Sequence, residues 1–246
     1  MELSVVIPLH NEAMNVVRLY GELNEVLKLS FRDYEIIYID DGSKDSTAEE
    51  IIRLIRQDKG VRMVSLTGNF GLSASLALGF KIARGRIILT MDGDMEHNPG
   101  DIPYLIKEIE KGYDLVCGYR KVRYRDMTGR YILSILGNKI ARMVFKMDIH
   151  DFSTTFKAYR SHVARNMPMF NGAHRFVPVL ARRMGFNVGE TIISHRRRIY
   201  GVSNYNFTRL FKIIKDAAMI KINEILLRFG MSFPLKEAGF GIKYII

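Results

Sequence analysis

Apolar, largely β-branched residues gather in four short runs, at Ser4 to Pro8, Glu35 to Asp40, Val61 to Leu66 and Ile87 to Met91. Each is of strand length and is followed by a segment whose apolar residues recur at helical spacing. Val16, Leu19, Tyr20, Leu23, Val26 and Leu27 line one face between Ala13 and Leu29. Ile51, Ile52, Leu54 and Ile55 line a second helix that begins near Ser46 and ends near Gly60, with Ser46 and Glu49 spaced as a capping box. Leu72 to Ala83 and Asp101 to Lys111, the latter closed by Gly112, continue the series. The alternation predicts an α/β fold, with crossover units on a parallel sheet and helices on its faces. Strands at Asp114 to Gly118, Phe152 to Tyr159 and Val188 to Ser194, and helices at Arg130 to Lys146 and Arg175 to Met184, extend it.

Polar clusters stand where the strands end: His10-Asn11-Glu12, Asp40-Asp41-Gly42-Ser43, Asn69, and Asp92 to Glu96. In an open parallel sheet the ligand crevice runs along this rim, so four loops far apart in sequence are expected to meet around one ligand. Asp92-Gly93-Asp94 followed by Glu96 supplies hard oxygen donors suited to Mg²⁺ or Mn²⁺ held against a diphosphate. Three carboxylates so close repel one another unless a cation or a proton compensates. The same residues also read as an acidic turn ahead of a helix, with Asn98-Pro99-Gly100-Asp101 as turn and N-terminal cap. Neither the glycine-rich dinucleotide fingerprint nor the Walker loop is present, which leaves a cation to neutralise the diphosphate.

The chain has 246 residues, 48% hydrophobic and 26% charged, enough for a full core and unlike a disordered chain. A single cysteine, Cys117, allows no internal disulfide and fits a reducing compartment. The start, Met1-Glu2-Leu3-Ser4-Val5, lacks a signal peptide's basic region, and no apolar stretch approaches the roughly 20 residues of a bilayer span, so a cytoplasmic location is expected. A formal charge of +11, from 37 Lys plus Arg against 26 Asp plus Glu, calls for an anionic partner. The excess lies in the second half, at Arg120 to Arg130, Arg182-Arg183 and Arg196 to Arg198. Zinc-ligand spacing and aromatic RNA-binding signatures are lacking, so nucleic acid is not the expected partner. Arg120, Lys121, Arg123, Arg125 and Arg130 leave the same strand edge as the acidic turn and are placed to hold a second anion; a solvated charged loop has the same composition. Between Phe207 and Phe229 an apolar face alternates with Arg209, Lys212, Lys215, Lys221 and Arg228, the pattern of a basic amphipathic helix that lies on an anionic membrane surface or packs on its own domain. The expected division is a catalytic domain over 1–206 and a membrane-surface helix with its tail over 207–246; the apolar end from Phe240 is too short to span a bilayer.

Taken in order, Val5-Val6-Ile7-Pro8-Leu9-His10-Asn11-Glu12, Asp40-Asp41-Gly42-Ser43, Gly68-Asn69-Phe70-Gly71, Met91-Asp92-Gly93-Asp94-Met95-Glu96-His97-Asn98-Pro99 and Arg198-Ile199-Tyr200-Gly201-Val202-Ser203 resemble glycosyltransferase family 2, in its polyprenyl-phosphate branch that includes dolichyl-phosphate mannosyltransferase. The resemblance implies a Rossmann-like GT-A fold, a Mg²⁺ or Mn²⁺ cofactor, and an inverting enzyme that moves a hexose from a nucleotide-sugar of the GDP-mannose or UDP-glucose type to a dolichyl or undecaprenyl phosphate. It further implies peripheral attachment to the inner membrane face, with a membrane-protein partner possible where relatives continue into transmembrane helices. By position, it assigns Pro8, His10, Glu12 and Asp41 to the nucleoside, Asp92, Asp94 and Glu96 to the metal and diphosphate, and Arg120, Arg130 and Ser134 to the lipid phosphate. Arg198 falls on a loop that closes over the diphosphate, so Asp94, Arg120, Arg130 and Arg198 are the implied catalytic set. Asp151, His174-Arg175 and Glu190 also match. Two positions depart from the pattern: His10 stands where tyrosine is frequent, and Asn204 where lysine is usual. A family 2 enzyme with a saccharide or protein hydroxyl as acceptor, and a non-enzymatic nucleotide-binding protein of the membrane surface, are the competing readings.

Overall fold

The computed structural model describes residues 1–121, 129–170, 172–196, 218 and 239–246, with side chains in the 129–145 helix described from residue 137. Its strands are β1 (Leu3–Leu9), β2 (Tyr34–Asp40), β3 (Val61–Leu66), β4 (Ile87–Thr90), β5 (Leu115–Tyr119), β6 (Lys157–Arg160), β7 (Val188–Ile192) and β8 (Ile242–Ile245). The helices are α1 (Ala13–Ser30), α2 (Thr47–Gln57), α3 (Leu72–Ile82), α4 (Ile102–Glu110), α5 (Gly129–Phe145), α6 (Ser161–Asn166) and α7 (Val177–Arg183). All eight strands form one sheet in the order β7-β5-β6-β4-β1-β2-β3-β8. The sheet is mixed: β6 pairs antiparallel with β4 and β5, and β8 antiparallel with β3, while the other pairings are parallel.

Helices cover both faces, so the central strands are apolar on both sides and read as continuous rather than alternating runs. Val6, Ile37, Ile39 and Val64 face a layer that includes Leu76 and Phe80 of α3, Val163 of α6 and Val177 of α7. Val5, Ile7, Ile36 and Tyr38 face Leu19 and Leu23 of α1, Ile51 of α2 and Leu105 of α4. Pro8 is tolerated in a central strand because it lies beyond Val6, the last β1 residue paired with β4, so its missing N–H costs no bond on that side.

Four sequence expectations differ from the structure. The strand expected over Phe152 to Tyr159 begins only at Lys157, because 151–155 forms a turn whose carbonyls at Phe152 and Thr154 accept from the buried Lys157 ammonium. Ser46 precedes α2 without a side-chain cap bond; Asp45 takes the role and accepts from the Thr47 N–H at 3.1 Å, so the capping box is not formed. The helix expected from Arg175 starts at Val177, after a 3₁₀ turn at Ala173–Arg175. The chain end, read only as too short to span, is an edge strand: Ile246 and Met63 exchange backbone bonds of 2.8 and 2.9 Å. The boundary at 206/207 and the amphipathic segment at 207–229 lie outside the described residues, residue 218 apart.

One polar cluster holds the far end of the sheet. Glu35, 2% exposed, accepts from the Ser4 hydroxyl at 2.6 Å, Arg62 at 2.6 Å and the Arg84 N–H at 2.8 Å. Burial opposes its charge, but these donors together hold its pKa below the usual glutamate value. A carboxylate lowered on folding stabilises above its unfolded pKa, and that contribution is lost as pH falls through the lower folded value. Glu35→Ala is therefore expected to cost about 3 kcal/mol at neutral pH and to flatten the acid limb of a stability-against-pH curve measured by urea unfolding. Equal losses at pH 7 and pH 3 would contradict the assignment.

Candidate active site

The parallel pairing of β4, β1, β2 and β3 brings their C-terminal ends to one rim. Because β6 runs the other way, its beginning reaches the same rim, and the 151–155 turn joins the loops after β4 and β5. All four polar clusters expected from sequence are therefore contiguous.

At the β1–β2 side, the His10 Nδ1–H donates to the Asp41 carbonyl at 2.8 Å, and Asn11 Nδ2 lies 3.2 Å from His10 Nε2, so both ring nitrogens hold the imidazole at the rim. Glu12 accepts from Asn15 Nδ2 at 2.6 Å. Asp41 is buried and accepts from the Phe70 and Gly71 N–H groups at 2.7 and 2.8 Å, so it shapes the 68–71 turn. That turn presses on the next: Gly42 has φ +66°, and a Cβ there would lie 2.4 Å from the Gly68 carbonyl carbon. The sequence reading gave Asp41 a nucleoside contact and missed this scaffolding bond.

The acidic turn lies directly on the end of β1. A Cβ on Gly93 would fall 2.0 Å from Leu9 Cδ2, so a larger residue would have to displace the buried Leu9 side chain from between the acidic turn and the β1 loop that carries His10. Met95, with φ +66°, reverses the chain, and the Asp94 carboxylate accepts from the Glu96 N–H at 3.1 Å. Asp92 is 34% exposed, whereas Asp94 is 7% exposed. Enclosure by protein and the charge of Asp94 push the Asp92 carboxyl up to about 7, although the Thr155 hydroxyl and the charge of Arg120 oppose the rise. Two carboxylates held in mutual repulsion, with oxygen donors only, fit a hard divalent cation. Among the described residues no three acidic, cysteine or histidine side chains close a metal cage. Asp92, Asp94 and Glu96 thus share a turn without forming a complete ligand set; Mg²⁺ bound by one or two carboxylates takes its remaining ligands from substrate phosphates and water.

Two histidines frame the turn. His97 Nδ1 is 3.9 Å from Asp92 Oδ2, and His195 Nε2 is 3.5 Å from Glu96 Oε2. The two residues form a backbone bridge across the rim. Burial, with the Arg120 charge, pushes the His97 ring down to about 3, so it is neutral and adds no positive charge beside Asp92. The Nδ1 atom of His97 is buried and has no hydrogen-bond partner among the described residues. Asp101, expected as a helix cap, instead accepts from the Ser194 N–H and hydroxyl at 2.7 and 3.2 Å, while Asn98 caps the 3₁₀ turn at Pro99.

Arg120 closes the other side. Its Nε and Nη2 donate to the two oxygens of the fully buried Asp151 at 2.7 and 3.2 Å. Burial works against the guanidinium charge, but Asp151, with Asp92 and Glu96 beyond it, raises its pKa further. Arg120 thus faces the acidic turn across the rim while being held by a different carboxylate. His174 Nδ1 lies 2.8 Å from the Ser73 hydroxyl at the start of α3. The side chains of Arg130 and Ser134, the loop residues Arg123 and Arg125, and Arg198 with its loop and Asn204 lie outside the described residues.

A model of the family described as Glycosyl transferase family 2 matches residues 4–167. The chain is 33% identical over 220 residues to a dodecaprenyl-phosphate galacturonate synthase of Rhizobium johnstonii, covering 88% of this chain and 65% of that protein. It is 31% identical over 216 residues to an undecaprenyl-phosphate 4-deoxy-4-formamido-L-arabinose transferase of Photorhabdus laumondii, covering 87% of this chain and 66% of that protein. Its fold is that of glucosyl-3-phosphoglycerate synthase from Mycobacterium tuberculosis, solved with Mn²⁺, UDP-glucose and phosphoglyceric acid, with a TM-score of 0.68 at 18% identity over 95% of this chain and 81% of that one. The likeness establishes the GT-A architecture.

Proposed function

The chain belongs to glycosyl transferase family 2, and on that premise we propose that it transfers a sugar from a nucleotide-sugar to a polyprenyl phosphate, with inversion, at the cytoplasmic face of a membrane. The observation that carries the reading is one rim bearing both an acidic turn and an arginine already paired to a carboxylate of its own. Both relatives act on polyprenyl phosphates by name, and this chain spans 65% and 66% of their lengths.

In this reading the phosphate oxygen of the lipid attacks the anomeric carbon, the bond from that carbon to the diphosphate breaks, and the nucleoside diphosphate departs. A phosphate monoester has a second pKa of about 6 and arrives ionised, so no base is required. A hydroxyl acceptor would need one, and Asp151 on the acceptor side is already taken up by Arg120. Asp92 and Asp94, with Glu96 beside them, would hold a divalent cation, which when bound would neutralise negative charge developing on the leaving diphosphate. Arg120 orients the acceptor phosphate through its planar fork without removing its charge. Arg130 and Ser134 complete that grip and Arg198 the grip on the diphosphate, while Pro8, His10, Glu12 and Asp41 border the nucleoside.

Membrane attachment is supported by the described half of α5. Ile140, Met143 and Val144 are exposed, Met143 by 64%, beside Lys139, Arg142 and Lys146. No helix among the described residues is long and apolar enough to cross a bilayer. Apolar side chains set among cations suit an anionic lipid surface.

The test offers the protein a panel of UDP- and GDP-sugars with Mn²⁺ or Mg²⁺ and a short polyprenyl phosphate in vesicles with and without anionic lipid. The expected product is the lipid phosphate heavier by one sugar, formed faster on anionic vesicles, and its mass identifies the sugar. Sugar transfer only to hydroxyl compounds, or nucleotide binding with no turnover, would overturn the proposal.

A further inference from the structure

Glu190 lies in β7 opposite Cys117 of β5, and its carboxylate bonds residues 39 and 40 positions earlier. Oε1 accepts from the backbone N–H of His150 at 2.9 Å and of Asp151 at 3.0 Å; Oε2 accepts from His150 Nδ1 at 2.8 Å and shares the His150 N–H at 3.1 Å. Capture of two successive backbone N–H groups by one anion fixes the peptide plane between them. The next group on that backbone is the Asp151 side chain, which presents both oxygens side-on to Arg120. The His150 ring also stacks on Tyr119, the neighbour of Arg120, with centroids 4.8 Å apart.

We propose that Glu190 is a positioning residue for the acceptor phosphate: by fixing the His150–Asp151 backbone it makes Asp151 hold the Nε–Nη2 edge of Arg120 and so directs the remaining Nη1 edge to the incoming anion. The proposal rests on the function inferred above. Its physical need is clear from the charges around Arg120. Asp92 and Glu96 attract the same guanidinium; unless Asp151 is held in place, Arg120 can swing onto the acidic turn and occupy the space where the anions must meet. Glu190 touches no reacting atom in this scheme. What it supplies is acceptor oxygen rather than charge. A glutamine whose carbonyl takes the Oε1 place keeps the two shorter backbone bonds, gives up only the 3.1 Å share of the His150 N–H, and can donate to a His150 ring in its other tautomer.

The test compares Glu190→Gln with Glu190→Met, which keeps the volume and removes both acceptor oxygens, using farnesyl phosphate as the binding probe and the Arg120 Nε–H proton resonance as a substrate-free readout. Glu190→Met is expected to weaken farnesyl phosphate binding about tenfold, as loss of one charged hydrogen bond would, and to expose the Nε–H to solvent exchange. Glu190→Gln is expected to retain both. In an Arg120→Lys background, Glu190→Met should add no further loss of binding, because both changes act through one contact. The proposal is overturned if glutamine loses as much as methionine, if the losses of Glu190→Met and Arg120→Lys multiply, or if the Nε–H stays protected in Glu190→Met. A wild-type protein that binds no farnesyl phosphate would instead strike at the inferred function, and the proton resonance would still decide whether Glu190 holds Arg120.

Discussion

Asp94→Asn is expected to lower sugar transfer by about a thousandfold, roughly 4 kcal/mol of barrier, while the protein keeps its fold. Asp94 is buried and accepts from the Glu96 N–H at 3.1 Å, and an asparagine side-chain oxygen can accept that bond too. What asparagine lacks is the charge that holds a cation against a departing diphosphate. Asp92→Asn provides the contrast. The raised Asp92 carboxyl binds a proton in the folded protein that the unfolded chain releases, so between the ordinary aspartate pKa and about 7 this group makes stability fall as pH rises. Removing the charge is therefore expected to raise Tm at pH 8 by about 2–4 °C while impairing transfer. A cation must also displace that proton, so the Mn²⁺ concentration for half-maximal transfer should rise as pH falls below 7, toward tenfold per unit. Full activity of Asp94→Asn, or a metal requirement flat from pH 8 to 6, would remove the cation from this turn.

Arg120→Met is expected to abolish use of the lipid phosphate and to destabilise the protein by about 3–5 kcal/mol. The stability loss arises because Asp151, fully buried, is left as an uncompensated carboxylate. Adding Asp151→Asn should recover much of the stability, since the buried charge is gone, but none of the transfer. Urea unfolding and product mass on the single and double variants separate the two effects. Donor hydrolysis by water should persist in Arg120→Met; if it falls in step with lipid transfer, Arg120 serves the donor rather than the acceptor.

The rim itself was legible in the chain. Each of the first four strands is a compact apolar run, and a polar cluster follows each one, so parallel pairing alone predicts that His10, Asp41, Asn69 and Asp92 to Glu96 share an edge. Local turn chemistry was legible too: the expected turn at Asn98-Pro99-Gly100-Asp101 forms, although Asn98 rather than Asp101 makes the side-chain cap bond. Long-range partners were not. Asp151 lies 31 residues from Arg120, His174 lies 101 from Ser73, and Glu190 lies 40 from His150.

Hydrophobic period and strand-end polarity reflect each segment's own burial, and they set the α/β class, the sheet edge that binds and the residue types offered there. Tertiary structure alone decided which charges neutralise which. Antiparallel insertion of β6 between β4 and β5 places Asp151 beneath Arg120 and Thr155 against Asp92. Pairing of β7 beside β5 supplies Glu190, and the return of the chain end onto β3 gives a partner to a tail whose Ile and Tyr residues suit a strand but do not say which strand they join. A carboxylate's role as ligand, clamp or anchor depends on distances of about 3 Å between residues whose separation along the chain says nothing of their separation in space.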